Sequence, residues 1–184
     1  DLSGGDNFVF SNKTTLTDGR VYPATTPGGN SNITPAIAGN AATEQFSVGW
    51  TSYVACPVPA GYATGKYLLE QISGPDDPFF GNPTRFVSEE VTLVASSPIQ
   101  RDFEVTYFTF NSDFSFLLVC DAFLINNGSG VGCGIGLRWT NDDPPSAYDD
   151  ADDSVLIVEI LENVDGDCGL NTAEPLTLKL TKVE

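Results

Sequence analysis

The chain has 184 residues, enough for one domain with a substantial core, and sets 25 Asp and Glu against 8 Lys and Arg, a formal charge of −17. That charge repels phosphate backbones and anionic headgroups, so it excludes nucleic acid as a partner and favours cations. The absence of His removes the usual general base, the usual zinc ligand and every Ser-His or Cys-His nucleophile pair.

The chain also lacks Met, which points to a start after a processing site. Residues 1–45 are rich in Thr, Asn, Gly, Ser, Pro and Ala and read as an extended arm or loop-rich layer. Phe8-Val9-Phe10 and Val21-Tyr22 are short strand candidates, whereas Thr17 to Arg20, Pro27 to Ser31 and Ala38 to Asn40 are turn clusters. Such an arm is one route to self-association, by lending a strand to a neighbouring subunit.

A β domain is expected over 46–184. Phe46, Val48 and Trp50 alternate; Gly65 to Ile72 reads as a strand; Ser73 to Pro83 is a Pro/Gly loop carrying Phe79 and Phe80; Arg85 to Ala95 is a further strand. Phe103 to Phe110 alternates with β-branched and aromatic residues, and Asn111-Ser112-Asp113 reads as the turn after it. Phe114 to Ile125 is apolar on both faces, the mark of a covered central strand. It is too short to span a bilayer, which takes roughly 20 residues, and Asp121 interrupts it. Asn126 to Gly130 carries the Asn-Gly hairpin signal, with Val131 to Trp139 as the return strand. Gly132, Gly134 and Gly136 leave one face of that strand bare, which suggests close approach of another backbone or a large ring, or a bulge. Ser154 to Leu161 and Leu176 to Thr181 complete the set. No amphipathic helix is evident, and regularly spaced strands predict an antiparallel β-sandwich rather than a barrel.

Four Cys, with no CxxC and no zinc spacing, fit two disulfides and an oxidising, extracellular setting. Of the three connectivities, Cys120–Cys133 across the hairpin with Cys56–Cys168 joining the ends is preferred, although the register places Cys120 and Cys133 diagonally.

Several motifs in the second half resemble secreted or lipid-anchored surface β proteins of Bacteroidetes bacteria. They are Cys56-Pro57 before Gly65 to Ile72, Phe116 to Cys120, Gly132-Cys133-Gly134, Asp152-Asp153-Ser154 entering a strand, and Asp165 to Gly169 before the last strand. The resemblance covers roughly residues 50–184 and implies a cell-surface or extracellular address without a known chemistry.

Among ligands, calcium is the strongest expectation. Ten Asp or Glu and no Lys or Arg lie between Asp142 and Asp167. Asp149, Asp150, Asp152 and Asp153, or Asp165 and Asp167 with the Val164 carbonyl, are the candidate oxygen donors. The same carboxylates are not singled out as a glycosidase pair, and no catalytic residue is assigned. Trp50 and Tyr148, with Tyr53, Tyr62 and Trp139, are candidates for a sugar-binding platform, although Trp50 and Trp139 sit in core-like alternation. Phe79-Phe80, if exposed, marks a protein contact or a hydrophobic anchor. Asn12, Asn32 and Asn127 head glycosylation sequons. These readings converge on a non-enzymatic, structural or adhesive surface protein acting through a protein partner or self-association. Its alternatives are an arm-exchanging filament subunit and a carbohydrate-binding module.

Overall fold

A computed structural model describes residues 6–11, 14–22, 49–54, 56, 58–134 and 136–183. The sequons at Asn12 and Asn32, the turn clusters at 27–31 and 38–40, and Phe46 and Val48 lie outside the described residues, as does the Trp50 side chain.

The chain divides into two compact units, Asp1–Val54 and Ala55–Glu184. In the first, β1 (Asn7–Ser11) pairs antiparallel with β4 (Gly49–Tyr53), from Asn7 opposite Tyr53 to Ser11 opposite Gly49. Thus the Trp50 segment, expected to open the large domain, is a partner of the chain's first strand. Between them, β2 (Thr14–Thr15) and β3 (Val21–Tyr22) form a small hairpin. Its tip is held by Asp18, whose carboxylate accepts the Arg20 backbone and Nε hydrogens.

The second unit contains, among the described residues, nine strands: β5 (Gly65–Ser73), β6 (Glu89–Ala95), β7 (Gln100–Tyr107), β8 (Phe110–Val119), β9 (Ala122–Leu124), β10 (Asn126–Gly128), β11 (Arg138–Asn141), β12 (Val155–Glu162) and β13 (Glu174–Lys182). They form one antiparallel sheet in the order β10-β11-β12-β13-β5-β6-β7-β8-β9. Each strand lies beside its sequence neighbour, β13 joins β5, and the sheet's two edges, β9 and β10, are separated by Ile125 alone. The all-β antiparallel expectation holds. Instead of two facing sheets, one sheet curls into a nearly closed barrel.

Side chains stitch the closing seam. Asn141 accepts the Ile125 N–H and donates to the Phe123 carbonyl. The Ser146 carbonyl accepts the Phe123 N–H at 2.9 Å while its hydroxyl accepts the Glu159 N–H, linking β9 to β12.

Period-two alternation fills the interior. Leu156, Val158 and Ile160 face inward on β12, and Leu176, Leu178 and Leu180 on β13. Trp139 is fully buried, with the rings of Phe86, Tyr107 and Phe114 at 5.4, 5.1 and 5.1 Å. Truncating such an aromatic costs about 3–5 kcal/mol.

The turns correct the sequence reading. The β7–β8 turn is Phe108-Thr109, and Asn111 to Asp113 belong to β8. Phe108 takes φ of 57°, a conformation costly for a bulky residue, and its burial at the barrel end holds it there. The expected long strand through Cys120 breaks at Cys120-Asp121. Both residues have positive φ (47° and 69°), as a two-residue type I′ turn requires. Asn126-Asn127-Gly128 is strand β10 rather than a hairpin tip, and 130–134 and 136–137 lie in a loop before the short β11.

The disulfides are Cys56–Cys120 and Cys133–Cys168, not the pairing preferred from sequence. The reason is the turn at Cys120: it sends the chain away from Cys133, which sits in the glycine loop beside Cys168.

Candidate functional site: an aromatic cleft at one end of the barrel

At the β7–β8 end of the barrel, four phenylalanines surround a cleft of about 550 Å³. Its floor is Phe108, 2% exposed; its rim is Phe79, Phe80 and Phe110, exposed to 48, 52 and 48%. The rings tilt against one another, Phe79 and Phe80 lying 5.6 and 6.5 Å from Phe108, and Phe80 6.0 Å from Phe110. Opposite stand Val131, Leu137 and the Cys133–Cys168 bridge. None of the lining residues is charged, in a chain of charge −17.

Local structure fixes the rim. Asp77 is 5% exposed; its Oδ1 accepts the Phe79 and Phe80 N–H at 2.8 and 3.1 Å, and its Oδ2 accepts the Asn82 amide at 2.7 Å. Burial pushes its pKa up, but those donors outweigh it and hold the carboxyl below its usual range. Gln71 accepts the Arg85 and Phe86 N–H groups and donates to the Pro75 carbonyl, tying the loop to β5.

The floor rests on a buried ion cluster. Arg85, 4% exposed, lies 5.9 Å from the Phe108 ring centre. Its guanidinium donates to Glu162 and, at 2.9 Å, to Glu174. Glu162 is fully buried and also accepts the Tyr107 hydroxyl. Burial drives the Glu162 pKa upward against the opposing pull of Tyr107 and Arg85. Burial, then Glu162, pushes the Tyr107 phenol up.

The opposite wall is a backbone nest around one carboxylate. Asp167 Oδ2 accepts the N–H groups of Cys133, Gly134 and Gly136 at 2.8, 3.0 and 2.9 Å, and Oδ1 accepts that of Cys168 at 2.8 Å. The Cys168 amide, with those of Gly136, Cys133 and Gly134, holds its carboxyl below the usual range against desolvation. A Cβ on Gly132 would lie 2.6 Å from Asp167 Oδ2 and closer still to Gly136, so the bare glycine face is filled by the loop's own backbone and this carboxylate. Asn163, fully buried, locks the nest from below, accepting the Asp167 N–H and donating to the Asp167 and Asn171 carbonyls.

The six aspartates expected to bind calcium are dispersed among these and other duties. Asp165 clasps Arg138 through two bonds of 2.8 and 3.0 Å. Asp153 accepts the Ala63 N–H, the Tyr67 hydroxyl and the Lys182 ammonium. Asp149 and Asp152 accept the Ala151 and Ser154 N–H within their own turn, and Asp150 is exposed. Among the described residues no group of three or more His, Cys, Asp or Glu converges on a metal position. Tyr148 is half-buried, with Tyr62 and Phe123 at 5.4 and 5.3 Å; Trp50 belongs to the first unit and its side chain lies outside the described residues.

The Phe79-Phe80 pair, read from sequence as a contact if exposed, is half-exposed. The ion cluster and the nest went unread, although alternation along β12 puts Glu162 on the same inward face as Ile160. Comparison with protein-family models, curated proteins and solved structures gave no match.

Proposed function

We propose that this chain is a non-enzymatic, structural or adhesive domain acting outside the cell or at its surface, and that the aromatic cleft is its contact surface. One observation carries the reading: three half-exposed phenylalanines ring a rigid, uncharged concavity. A soluble chain spends solubility on such a patch where a partner covers it. The rim is braced by Asp77 and the floor by Arg85, so little ordering remains to be done on contact. Two disulfides suit an oxidising setting, in line with the resemblance to bacterial surface proteins. A carbohydrate module draws less support, because the lining offers one polar side chain, Asn111, for a sugar's many hydroxyls.

Retention of chain-coated beads under flow on phenyl-, hydroxyl- and sulfonate-bearing surfaces tests this. Retention is expected on phenyl and lost in a Phe79→Ser/Phe80→Ser variant. Equal retention of variant and parent would overturn the reading.

A further inference from the structure

The neutral cleft is bordered by a negative ledge. Glu104 on β7 and Asp113 on β8 stand directly opposite in the sheet register, both exposed. Like charges opposed across strands destabilise a sheet. No ion pair among the described residues involves either of them. Both line a shallow concavity of about 350 Å³ that includes Asn111 and Gly130. Those same two residues line the aromatic cleft, so ledge and cleft are contiguous.

This juxtaposition selects a partner. The cleft takes an uncharged ring or apolar group. The ledge beside it repels carboxylate, sulfonate and phosphate and draws a cation. Fatty acids and anionic lipid surfaces fail the second condition, and neutral lipid leaves the ledge unpaired. An extended polypeptide meets both, since neighbouring residues are about 3.3 Å apart, which keeps a ring and the long, flexible basic side chain beside it within reach of the two contiguous concavities.

Building on the adhesive reading above, we propose that the partner is an extended polypeptide segment carrying an aromatic side chain next to Lys or Arg. The ring enters between Phe80, Phe108 and Phe110, tilted against them as they are against one another. The cation sits over Glu104 and Asp113, speeding encounter and making binding salt-sensitive.

The test uses the full chain and capped twelve-residue Gly/Ser peptides with a central Lys-Phe-Lys, Lys-Ala-Lys or Glu-Phe-Glu, titrated by calorimetry at low and high salt. Lys-Phe-Lys is expected to bind, the other two at least about tenfold more weakly. Phe80→Ala, or Phe80→Leu, which keeps apolar bulk without the ring, should weaken Lys-Phe-Lys by about tenfold. Glu104→Gln/Asp113→Asn should weaken it by about threefold and flatten its salt dependence. Equal affinity for Lys-Phe-Lys and Lys-Ala-Lys, no effect of either Phe80 variant, or no binding of any peptide would overturn the proposal. If the peptides fail while bead retention still depends on Phe79 and Phe80, the partner assignment falls and the adhesive reading stands. If both fail, both fall.

Discussion

Asp167 Oδ2 accepts the backbone N–H of Cys133 at 2.8 Å, so one carboxylate and one disulfide, Cys133–Cys168, hold the same loop to the turn between β12 and β13. The bridge limits how far the loop moves, and the carboxylate sets its shape by collecting the amides of Cys133, Gly134 and Gly136. Because that loop is one wall of the aromatic cleft, protonating Asp167 is expected to loosen that wall. Its carboxyl is held below its ordinary range, about pH 4. The stabilisation is therefore complete above that range and is lost as pH falls through the lower, folded-state value. Asp167→Asn is expected to melt lower than the parent at pH 7, with the difference shrinking as pH drops below about 4. Thermal melts across that window check it; a constant gap would sink the idea.

The buried Arg85–Glu162 pair predicts a pattern over a mutant cycle. Removing the cation in Arg85→Met leaves Glu162 in the core with the Tyr107 hydroxyl as its remaining hydrogen-bond partner. Such a break costs about 3–5 kcal/mol. Replacing both partners, Arg85→Met with Glu162→Leu, should cost less than the single change, because no unpaired charge is then buried. Urea unfolding of the four proteins gives the comparison. A double variant as unstable as the sum of the singles would show that the two side chains act independently.

Much of the architecture was legible because alternation reports burial directly. Leu176, Leu178 and Leu180 announced the buried face of the last strand; Phe114, Phe116 and Leu118 are buried as well, but their strand, read as central and covered on both faces, lies next to the edge strand β9 with Ser115 and Leu117 only partly buried. The turns were misread for a physical reason. Phe108 and Cys120 carry no turn signature, and their positive φ is enforced by tertiary context: ring packing on Arg85 for one, the bridge to Cys56 for the other. Asn127-Gly128 carries the signature and serves as a strand. In the acidic run, charge density alone does not reveal the chain's own cations that pair with it. Arg138 and Lys182 are distant in sequence from the aspartates they neutralise. The Phe79-Phe80 pair was legible as a contact candidate, but its exposure was not, because that depends on the loop that Asp77 braces through their N–H groups.

Chelation separates the two accounts of the acidic loops. Asp153, Asp165 and Asp167 already have Lys182, Arg138 and backbone amides as partners. Removing divalent ions should therefore leave the melting temperature where it is. A melt in EDTA against one in excess calcium checks this. A rise of several degrees with calcium would instead support a metal site, since a ligand bound to the native state at about 100-fold over its Kd adds roughly 2.7 kcal/mol.

Disulfide pairing decides whether the β8–β9 turn stands as described. Cys120 lies at a two-residue turn, and its partner Cys56 precedes β5. Cys133 belongs to the glycine loop and Cys168 to the turn after β12. Digestion under non-reducing conditions should yield linked peptides for 56–120 and 133–168 and none for 120–133. Loops of 64 and 35 residues are closed by the two bridges, and chain entropy assigns each about 4 kcal/mol. The consequences differ by location. Cys133→Ser/Cys168→Ser removes a wall of the aromatic cleft and should lose phenyl retention along with stability. Cys56→Ser/Cys120→Ser should lose stability while the folded fraction keeps its retention. Equal loss of retention in both would place the contact surface elsewhere on the barrel.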